Sequence, residues 1–313
     1  MKDIAKIVWM MVVVTFGMTA VVACKAAKAN EEMRDGYWRA VRDSIERVIG
    51  EYPCEAGVAL IVNSKDTEVV NDRNVYPMMS VFKVHQALAL CREFDAKGLS
   101  LDSVISMRRD ELDAKTWSPM LKEHAEAVIS LPVKEMLRYT LTLSDNNASN
   151  VMFERLVSVA RTDSIIATMI PRLSFNIELT EKEMSEDHER AYCNKTTPLG
   201  AAILMNRLFT DSLVSADKQA FITKTLTECK TGTDRIAAPL LGEPDVELGH
   251  KTGSGYTKAD GTLVAHNDVG FVRLADGTHY ALAVFVKDIK GSSAQASELI
   301  SRISAIVYNV LRR

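Results

Sequence analysis

Residues 76–91, YPMMSVFKVHQALALC, mark the point at which the sequence changes from a strand pattern to a helical pattern. Before them, residues 57–63 (GVALIVN) and 67–70 are short apolar runs that predict two strands joined by a polar turn. From about Ser80 to Leu226, nearly every apolar stretch has the spacing of a helix. The helices predicted there cover residues 81–95, 133–143, 147–160 and 198–209.

Strands return in the last quarter of the chain. Residues 264–274 and 280–287 predict two strands, and Asp276-Gly277 between them predicts a hairpin turn. Amphipathic helices are predicted over residues 36–49 and over the closing segment 299–311. This order predicts an α/β (α+β) fold of two lobes, in which an antiparallel sheet is flanked by the terminal helices and an all-helical lobe is inserted. A cleft between two lobes is a usual place for a site.

The composition is that of an ordinary globular protein. The 313 residues are 47% hydrophobic and 25% charged, with a formal charge of −3. The apolar fraction is too high for a disordered chain, and slight acidity without a basic run argues against nucleic acid as a partner. The length allows one large domain or two small ones, and the order of elements favours one domain of two lobes.

The N-terminal residues have the pattern of an export signal. Residues 7–22 carry no charge and follow Lys2 and Lys6, which is typical of a signal peptide and short for a membrane span. Two cleavage sites remain open: a lipobox that would leave a lipidated Cys24, and an A-x-A site before Asn30. A retained signal anchor is a third option. Each of the three places the folded part outside the cytoplasm.

Cysteine and histidine give no metal-binding pattern. The six histidines are scattered, and the sequence contains neither C-x-x-C nor H-E-x-x-H. The exported compartment would permit disulfides, but nothing in the spacing pairs Cys54, Cys91, Cys193 and Cys229. We therefore predict no metal and no cofactor.

Ser80-Val81-Phe82-Lys83 places a serine and a lysine one helical turn apart. If Ser80 opens a helix, the Lys83 amine lies on the same face and reaches the Ser80 hydroxyl. A serine is a weak nucleophile until a neighbouring base takes its proton. A lone S-x-x-K is more often a helix cap beside a solvated lysine, and we interpret the second match, at residues 215–218, as coincidence on a surface loop.

Two further motifs follow along the chain. Ser144-Asp145-Asn146 starts a predicted helix, where all three residue types are preferred caps, and we interpret Asp145 as structural. Lys251-Thr252-Gly253-Ser254-Gly255 lies beside the returning strands, and its second glycine allows a ligand to approach the backbone. A second K-T-G, at residues 230–232, falls in a polar turn and is interpreted as a decoy.

The three motifs are specific when they occur in this order, at separations of about 60 and 107 residues. They resemble the S-x-x-K, S-D-N and K-T-G of serine β-lactamases and penicillin-binding proteins. Over roughly residues 50–310 the chain looks similar to class A cephalosporinases of Bacteroides-type bacteria, the CfxA branch. Most of that likeness lies in residues 76–91 and in YTLTLSDNNASN, CKTGTDRIAAPLL and HKTGSGY.

The predicted domain boundaries follow from the pattern and the resemblance together. Residues 1–29 are the signal peptide, and residues 30–313 are the β-lactamase domain. Within it, the α/β lobe covers residues 36–77 and 237–313, and the helical lobe covers residues 78–236.

The resemblance also implies a glutamate on a loop after S-D-N, in an E-x-x-L-N pattern, that activates water to release the acyl group. Glu181 matches, with Met184 at the apolar position and Ser185 in place of the asparagine. Glu178 and Glu183 are rival carboxylates, and each lacks an apolar residue three places on. Without the family, a solvated acidic loop would be the simpler interpretation.

The same loop departs from the family at its neck. The Arg–Asp pair that usually closes it would fall at Leu179 and Asn194, which cannot form an ion pair. The shape of the loop and the position of the water are therefore not given by the resemblance.

The resemblance implies acyl transfer in two steps. Ser80 attacks the lactam carbonyl, and the backbone N–H groups of Ser80 and Ser254 hold the oxyanion. Lys83, or Glu181 through a water, takes the Ser80 proton. Ser144 passes a proton to the leaving nitrogen, and Glu181 then activates the water that cleaves the ester.

Other residues are implied in substrate binding. Asn146 would bond the side-chain amide of the substrate, and residues 251–253 (Lys251, Thr252 and Gly253) would meet its carboxylate. Trp117 falls where the family has an aromatic residue at the cleft edge, with core packing as the alternative. Arg235 falls where some members bind the carboxylate with a guanidinium, with a surface arginine as the alternative.

We therefore predict a monomeric class A serine β-lactamase that hydrolyses cephalosporins and penicillins, and so gives antibiotic resistance. Oxyimino cephalosporins are included by analogy with the same branch. The alternatives are a D-Ala-D-Ala carboxypeptidase or penicillin-binding protein, and a non-hydrolytic penicillin sensor. Glu181 is the feature that argues against both.

Overall fold

The computed structural model describes residues 36–312. Its strands are β1 (Glu55–Val62), β2 (Asp66–Val70), β3 (Tyr76–Pro77), β4 (Val104–Arg108), β5 (Val128–Pro132), β6 (Phe175–Asn176), β7 (Lys195–Thr196), β8 (Glu247–Ser254), β9 (Leu263–Arg273) and β10 (His279–Ile289). Its helices are α1 (36–49), α2 (Phe82–Lys97), α3 (Pro119–Glu123), α4 (Val133–Thr142), α5 (Asn146–Arg155), α6 (Val159–Ile166), α7 (Glu181–Glu186), α8 (Pro198–Thr210), α9 (Ala216–Thr227) and α10 (Ser293–Leu311).

The main sheet has five strands in the order β2-β1-β10-β9-β8, and all neighbouring pairs are antiparallel. Its central strand, β10, is the last strand in the chain, and it pairs with β1 so that Val58 lies opposite Val284. Both strands are almost wholly buried, which explains their continuous apolar runs. The four strands predicted from sequence are confirmed, with ends that differ by one or two residues.

The hairpin between β9 and β10 turns at the predicted position. Gly277 has a φ of +87°, a left-handed conformation that glycine adopts without the steric cost of a Cβ. The turn fixes the register that places His279 opposite Arg273. Helix α8 packs against β1, β9 and β10, and α10 packs against β9 and β10.

The helices inserted between β2 and β8 surround α2. Eleven of its sixteen residues are buried, and Gly98 ends it in a left-handed conformation with a φ of +63°. Because residues 82–91 are buried without a break, this part of α2 lacks the polar face of a surface helix. It therefore forms the fixed base on which the Ser80 segment is placed.

Two expectations for this region are wrong in detail. The predicted helix over residues 147–160 is two helices, α5 and α6, because Ser158 caps α6 by accepting a hydrogen bond from the N–H of Arg161. The inserted part is also not all-helical. It contains the β4–β5 pair and the strands β6 and β7, which belong to a small sheet in the order β3-β7-β6.

Two compact units are distinguished, residues 1–44 and residues 45–313. Of the first, the structure describes residues 36–44, where the Ser44 hydroxyl donates to the Ala40 carbonyl at 2.8 Å. The second contains the S-x-x-K, S-D-N and K-T-G motifs and Glu181. The predicted signal peptide, with Cys24, lies outside the described residues. Within residues 36–312, no helix is both long and apolar enough to cross a bilayer.

Candidate active site

Ser80 lies in a 3-10 turn, Met79–Val81, immediately before α2. Met79 precedes it with a φ of +46°, a conformation that costs a non-glycine residue roughly 1–3 kcal/mol and is concentrated at functional sites. Strand β8 passes close to this turn at Gly253, where an added Cβ would collide with the Met78 carbonyl oxygen. A glycine in K-T-G is therefore required by the approach of β8 to the Ser80 turn.

The Ser80 hydroxyl is in contact with both a lysine and a carboxylate. It donates a hydrogen bond of 2.8 Å to Glu181 Oε1, and it accepts one of 3.0 Å from Lys83 Nζ. Lys83 Nζ also lies 2.8 Å from Glu181 Oε1. The Lys83 side chain is fully buried and that of Glu181 is 11% exposed, so water screens these contacts little.

Ser144 lies between two lysines. Lys83 Nζ is 2.8 Å from the Ser144 carbonyl oxygen and 3.3 Å from its hydroxyl, and Lys251 Nζ donates to that hydroxyl at 3.0 Å. Burial, and then the positive charge of Lys83, lowers the pKa of Lys251 to about 7. Ser144 itself has a φ of +59°. A hydroxyl bonded to a lysine that titrates near neutral pH is suited to carry a proton.

The contacts of Asp145 agree with the interpretation that it is a structural residue. Its carboxylate caps α5 by accepting from the N–H of Ala148 at 2.9 Å, and it also accepts from Ser118 and from the N–H of Met120. Burial raises the pKa of Asp145. Through these hydrogen bonds, the Asp145 carboxylate fixes the segment that carries Ser144.

The K-T-G strand forms one wall of the site. Residues 249–253 are buried, and Lys251 Nζ donates to the Thr252 carbonyl oxygen at 2.9 Å. The Thr252 hydroxyl lies 2.6 Å from the Thr231 hydroxyl. Thr231 belongs to the second K-T-G, so the turn at residues 230–232 is not a remote decoy and is part of this wall.

The packing of that turn explains its glycine. Gly232 has a φ of +72°, and an added Cβ would collide with the side chain of Thr252. In the sequence, Thr231 is marked only by the second K-T-G. The pattern alone cannot distinguish a functional repeat of this motif from a chance one.

Arg235 is buried, and the alternative of a surface arginine is wrong. Its guanidinium donates to Ser254 Oγ and to the Asn267 carbonyl oxygen, each at 2.7 Å. Burial lowers the pKa of Arg235. The side chain therefore brings a positive charge to the end of β8.

Asn146 and Trp117 lie on the opposite side. The Asn146 side-chain oxygen accepts from Lys83 at 2.7 Å, and its amide nitrogen donates to Thr116 at 2.9 Å. Trp117 is 53% exposed, which excludes the core-packing alternative, and its indole N–H donates to the Leu143 carbonyl oxygen. Thr116 was not singled out from the sequence, because a lone threonine before a tryptophan carries no signal.

These side chains enclose one cavity of about 450 Å³. Its lining consists of Ser80, Trp117, Ser144, Asn146, Glu181, Thr231, Arg235, Thr252 and Ser254. A larger cavity of about 740 Å³ lies elsewhere, between Arg108 and Val128, and none of its lining residues is a serine, cysteine or lysine. The smaller cavity is thus the one in which a nucleophile, its bases and cationic groups meet.

Comparison with known proteins decides the family. The β-lactamase enzyme family matches residues 40–311. A β-lactamase of Phocaeicola vulgatus is 61% identical over 269 residues, covering 86% of this chain and 84% of that protein. The chain belongs to the β-lactamase enzyme family.

Other relatives agree with that assignment. The extended-spectrum β-lactamase PER-1 of Pseudomonas aeruginosa is 30% identical over 86% of each chain. A class A β-lactamase from Bacteroides cellulosilyticus matches this structure with a TM-score of 0.82 and 29% identity, covering 88% of this chain and 98% of that one. The predicted family and fold class are confirmed.

The neck of the Glu181 loop in this β-lactamase is closed by an amide. Asn194 Oδ1 accepts from the N–H groups of Glu178 and Leu179 at 2.9 and 3.0 Å, and its Nδ2 donates to the Leu179 carbonyl oxygen at 2.8 Å. Asn194 is fully buried. One side chain thus makes three hydrogen bonds to the loop backbone, at the neck where Leu179 and Asn194 cannot form the family's usual ion pair.

The rival carboxylates have other partners. Glu183 completes a capping box with Thr180 at the start of α7, and Glu178 accepts from Asn176 at 3.0 Å. Ser185 is exposed, and its hydroxyl donates to the Lys182 carbonyl oxygen rather than toward Ser80. Of the three candidate glutamates, Glu181 is the one that contacts Ser80.

The second S-x-x-K of the β-lactamase is not on a loose surface loop. Ser215 occupies the N-cap position of α9, its hydroxyl donates to Asp95 Oδ1 at 2.7 Å, and the buried Lys218 lies 2.9 Å from the same oxygen. The prediction that this segment is a surface loop is therefore wrong, because Ser215 and Lys218 both contact Asp95 of α2. Ser215 does not line the 450 Å³ cavity.

The described residues contain no group of three or more His, Cys, Asp or Glu arranged to hold a metal ion. Their four cysteines, Cys54, Cys91, Cys193 and Cys229, are free thiols.

Proposed function

We propose that this β-lactamase opens the lactam ring of cephalosporins and penicillins through an acyl-enzyme on Ser80, and so gives antibiotic resistance. The observation that carries the proposal is the pair of contacts at Ser80 Oγ, 2.8 Å to Glu181 and 3.0 Å to Lys83, inside a cavity of about 450 Å³. A serine bonded to a base and open to a cavity is the arrangement that nucleophilic catalysis requires.

In the first step, Ser80 Oγ attacks the lactam carbonyl carbon. Glu181 accepts the proton directly, since its oxygen already holds that hydroxyl, and Lys83 is the second acceptor within reach. The N–H groups of Ser80 and Ser254 hold the oxyanion, and one such donor is typically worth about 10²–10³ in rate.

The leaving nitrogen takes its proton from Ser144. The Ser144 hydroxyl is bonded to Lys251, and the pKa of Lys251 near 7 makes this lysine a donor that replaces the proton. The C–N bond of the lactam breaks as this proton arrives.

Substrate binding uses the cationic end of β8. The carboxylate of the substrate meets Lys251, Thr252 and Arg235, and Gly253 keeps the strand close to the Ser80 turn. Asn146 bonds the side-chain amide of the substrate, and Trp117 covers the cleft edge.

Release requires water. Before this step the proton on Glu181 passes through Lys83 and Ser144 to Lys251, along contacts of 2.8, 3.3 and 3.0 Å, so that Glu181 is again a carboxylate and Lys251 regains its proton. Glu181 then removes a proton from a water molecule that attacks the ester carbonyl, and it gives that proton to Ser80 Oγ as the ester bond breaks. The Asn194 clamp holds the Glu181 loop for this step.

The proposal is tested by mixing the protein with a chromogenic cephalosporin. Many turnovers support hydrolysis, whereas a single burst equal to the enzyme concentration indicates a sensor or a penicillin-binding protein. Release of D-Ala from a peptide indicates the carboxypeptidase.

Glu181→Gln tests the release step. We expect this variant to acylate through Lys83 and then stall, with the adduct detected by mass spectrometry and turnover about 10²–10⁴-fold lower. The matched control is Glu183→Gln, in which glutamine preserves the capping box and turnover stays near wild type. Near wild-type turnover in Glu181→Gln would show that the role is wrong.

Three further features belong to the same proposal. The substrate range includes oxyimino cephalosporins, supported by a relative named as extended-spectrum. The protein is an exported monomer, either lipidated at Cys24 or cleaved before Asn30. Mass spectrometry of the mature protein distinguishes these two N-termini. We also propose two lobes with the boundaries given above, residues 36–77 with 237–313 and residues 78–236.

A further inference from the structure

A buried asparagine on β9 contacts the segment that leads to Ser80. Asn267 lies opposite Gly253 in the β8–β9 pair, so both residues project to the same face of the sheet. On that face an added Cβ at Gly253 would collide with the Met78 carbonyl oxygen. The Asn267 side chain reaches the same place, because its Nδ2 donates to the Pro77 carbonyl oxygen at 2.8 Å and to that of Met78 at 3.3 Å.

Both ends of the Asn267 amide are used. Its Oδ1 accepts from the N–H of Val286 on β10 at 3.3 Å, so the carbonyl end of the amide faces β10 and the NH₂ end faces residues 77 and 78. Asn267 is fully buried. A hydrogen bond that is lost here is therefore not replaced by one to bulk water.

The backbone next to these contacts is strained. Met79 lies between Met78 and Ser80 with a φ of +46°, and such a conformation persists only where the surrounding structure holds it. From the other direction, the Met78 N–H donates to the Asn194 carbonyl oxygen at 2.8 Å. Met78 is thus held at its N–H by the Glu181 loop and at its carbonyl by Asn267, one residue before the strain and two before Ser80.

We propose that Asn267 is a positioning residue for acylation, whose two donated hydrogen bonds hold residues 77–79 in the conformation that directs the Ser80 N–H at the oxyanion. The inference rests on the acyl transfer proposed above. Arg235 donates to the backbone carbonyl of Asn267 at 2.7 Å, and a change of the Asn267 side chain leaves that carbonyl in place. Asn267 therefore acts on the transition state and little on the binding of the substrate carboxylate.

Asn267→Leu tests this role, because leucine is similar in size and lacks both ends of the amide. We expect the acylation rate constant to fall about 10- to 100-fold, since a displaced donor loses part of the 10²–10³ that one oxyanion donor contributes. The dissociation constant of the cephalosporin should change by less than about threefold. Stopped-flow kinetics over a range of concentrations of a chromogenic cephalosporin separate the two constants.

Phenylboronic acid gives an independent measure of the oxyanion site. Its boron binds the Ser80 oxygen as a tetrahedral anion, which resembles the transition state more than the substrate does. We expect its inhibition constant to rise in Asn267→Leu by about the same factor as the acylation rate constant falls.

Met79→Gly provides a readout that a loss of stability alone would not change. Glycine adopts a positive φ without steric cost, so the turn in this variant depends less on Asn267. We expect Asn267→Leu to reduce acylation by at most about threefold in the Met79→Gly background, and thus the two changes to be non-additive. Equal losses in both backgrounds would show that Asn267 does not act through the strained turn.

Asn206→Leu is the matched control for stability. Asn206 is also buried, its amide makes hydrogen bonds of 3.1 and 3.2 Å with the Ser64 hydroxyl, and it does not line the 450 Å³ cavity. This variant should lower the unfolding midpoint and keep the acylation rate constant within about twofold. If Asn267→Leu does not fold, Asn267→Asp keeps the shape and the acceptor for Val286 while it loses the donor, and the same fall in acylation is expected.

The outcomes separate this inference from the proposed function. Near wild-type acylation and boronate inhibition in a folded Asn267 variant would overturn the positioning role and leave the proposed function intact. A wild-type protein that the cephalosporin does not acylate would overturn both.

Discussion

The two S-x-x-K segments of this protein, residues 80–83 and 215–218, have nearly the same local chemistry. In each, the serine hydroxyl donates to a carboxylate, at 2.8 Å in the first and 2.7 Å in the second. In each, a buried lysine contacts both the serine and that carboxylate. A Ser–Lys–carboxylate cluster is therefore not sufficient for a catalytic site.

The surroundings make the difference. The Ser80 segment opens into a cavity and shares Ser144 with a second lysine, Lys251. At the Ser215 segment, the hydrogen bond that Lys218 donates to Asp95 raises the pKa of Lys218, which keeps this lysine charged and unable to accept a proton. The first cluster can move a proton toward a ligand, and the second holds α9 against α2.

The largest effect should separate the two serines. Ser80→Ala removes the nucleophile, and we expect turnover of a chromogenic cephalosporin to fall by about 10⁵-fold or more with the fold intact. Ser215→Ala removes one hydrogen bond to Asp95, and we expect turnover within about twofold of wild type and a loss of about 1–2 kcal/mol in unfolding free energy. The comparison would fail if the two variants lost turnover to the same extent.

The lysines should differ in the same way. Lys83→Met should reduce turnover by about 10³-fold, because Ser80 loses a proton acceptor and Glu181 loses its counter-charge. Lys218→Met should instead cost about 2 kcal/mol of unfolding free energy, because Asp95 keeps Ser215 as a partner but loses the cation. Steady-state kinetics and urea unfolding measure the two quantities, and a large kinetic effect at Lys218 would contradict the assignment.

The carboxylates are held by different means, which gives a third test. Asp95 lies on α2, whereas Glu181 lies at the start of α7, on the loop closed by Asn194. Asn194→Ala should loosen that loop and reduce turnover by about 10- to 100-fold while the acylation burst remains. Asn176→Ala, which removes bonds to Glu178 and Cys193 on the same loop, serves as the control and should have a smaller effect. Stopped-flow kinetics separate the burst from the slow release.

The last test concerns the stability of the helix that both clusters share, and it does not involve turnover. Burial lowers the pKa of His85, within α2, to about 4. Between pH 6.5 and 4 the unfolded chain binds a proton that the folded chain does not, so stability falls as the pH falls through this window, by about 3 kcal/mol at most. His85→Leu should remove that part of the acid dependence, measured as unfolding free energy at several pH values. An unchanged dependence would show that other groups cause the acid sensitivity.

Much of the fold could be predicted from the sequence because its strongest elements have clear periods. The apolar runs of β1, β9 and β10, the stripe of α10 and the Asp-Gly turn are local signals, and the structure contains all of them. The β4–β5 pair was missed because its five-residue strands are mostly exposed and carry little apolar pattern. The break between α5 and α6 was missed because one serine cap ends an otherwise helical period.

The site was partly predictable for a similar reason. Ser80, Ser144, Lys251 and Glu181 belong to short motifs, and the structure brings them together around one cavity. Thr231 could not be recognised, because only its contact with Thr252, 21 residues away, distinguishes it from a turn residue. The roles of all these residues stay predictions until the variants are measured.

The order of strands in the main sheet has a consequence for how the protein is made. β10 lies between β1 and β9, so Val58 meets its neighbour Val284 only after more than two hundred further residues have been synthesised. Contacts of such long sequence separation form late and slow the folding of a chain. The growing polypeptide therefore has no completed central sheet until β10 emerges. A ribosome that stops before residue 279 leaves a chain that already carries Ser80, Lys83 and Glu181 but lacks the central strand that joins β1 to β9.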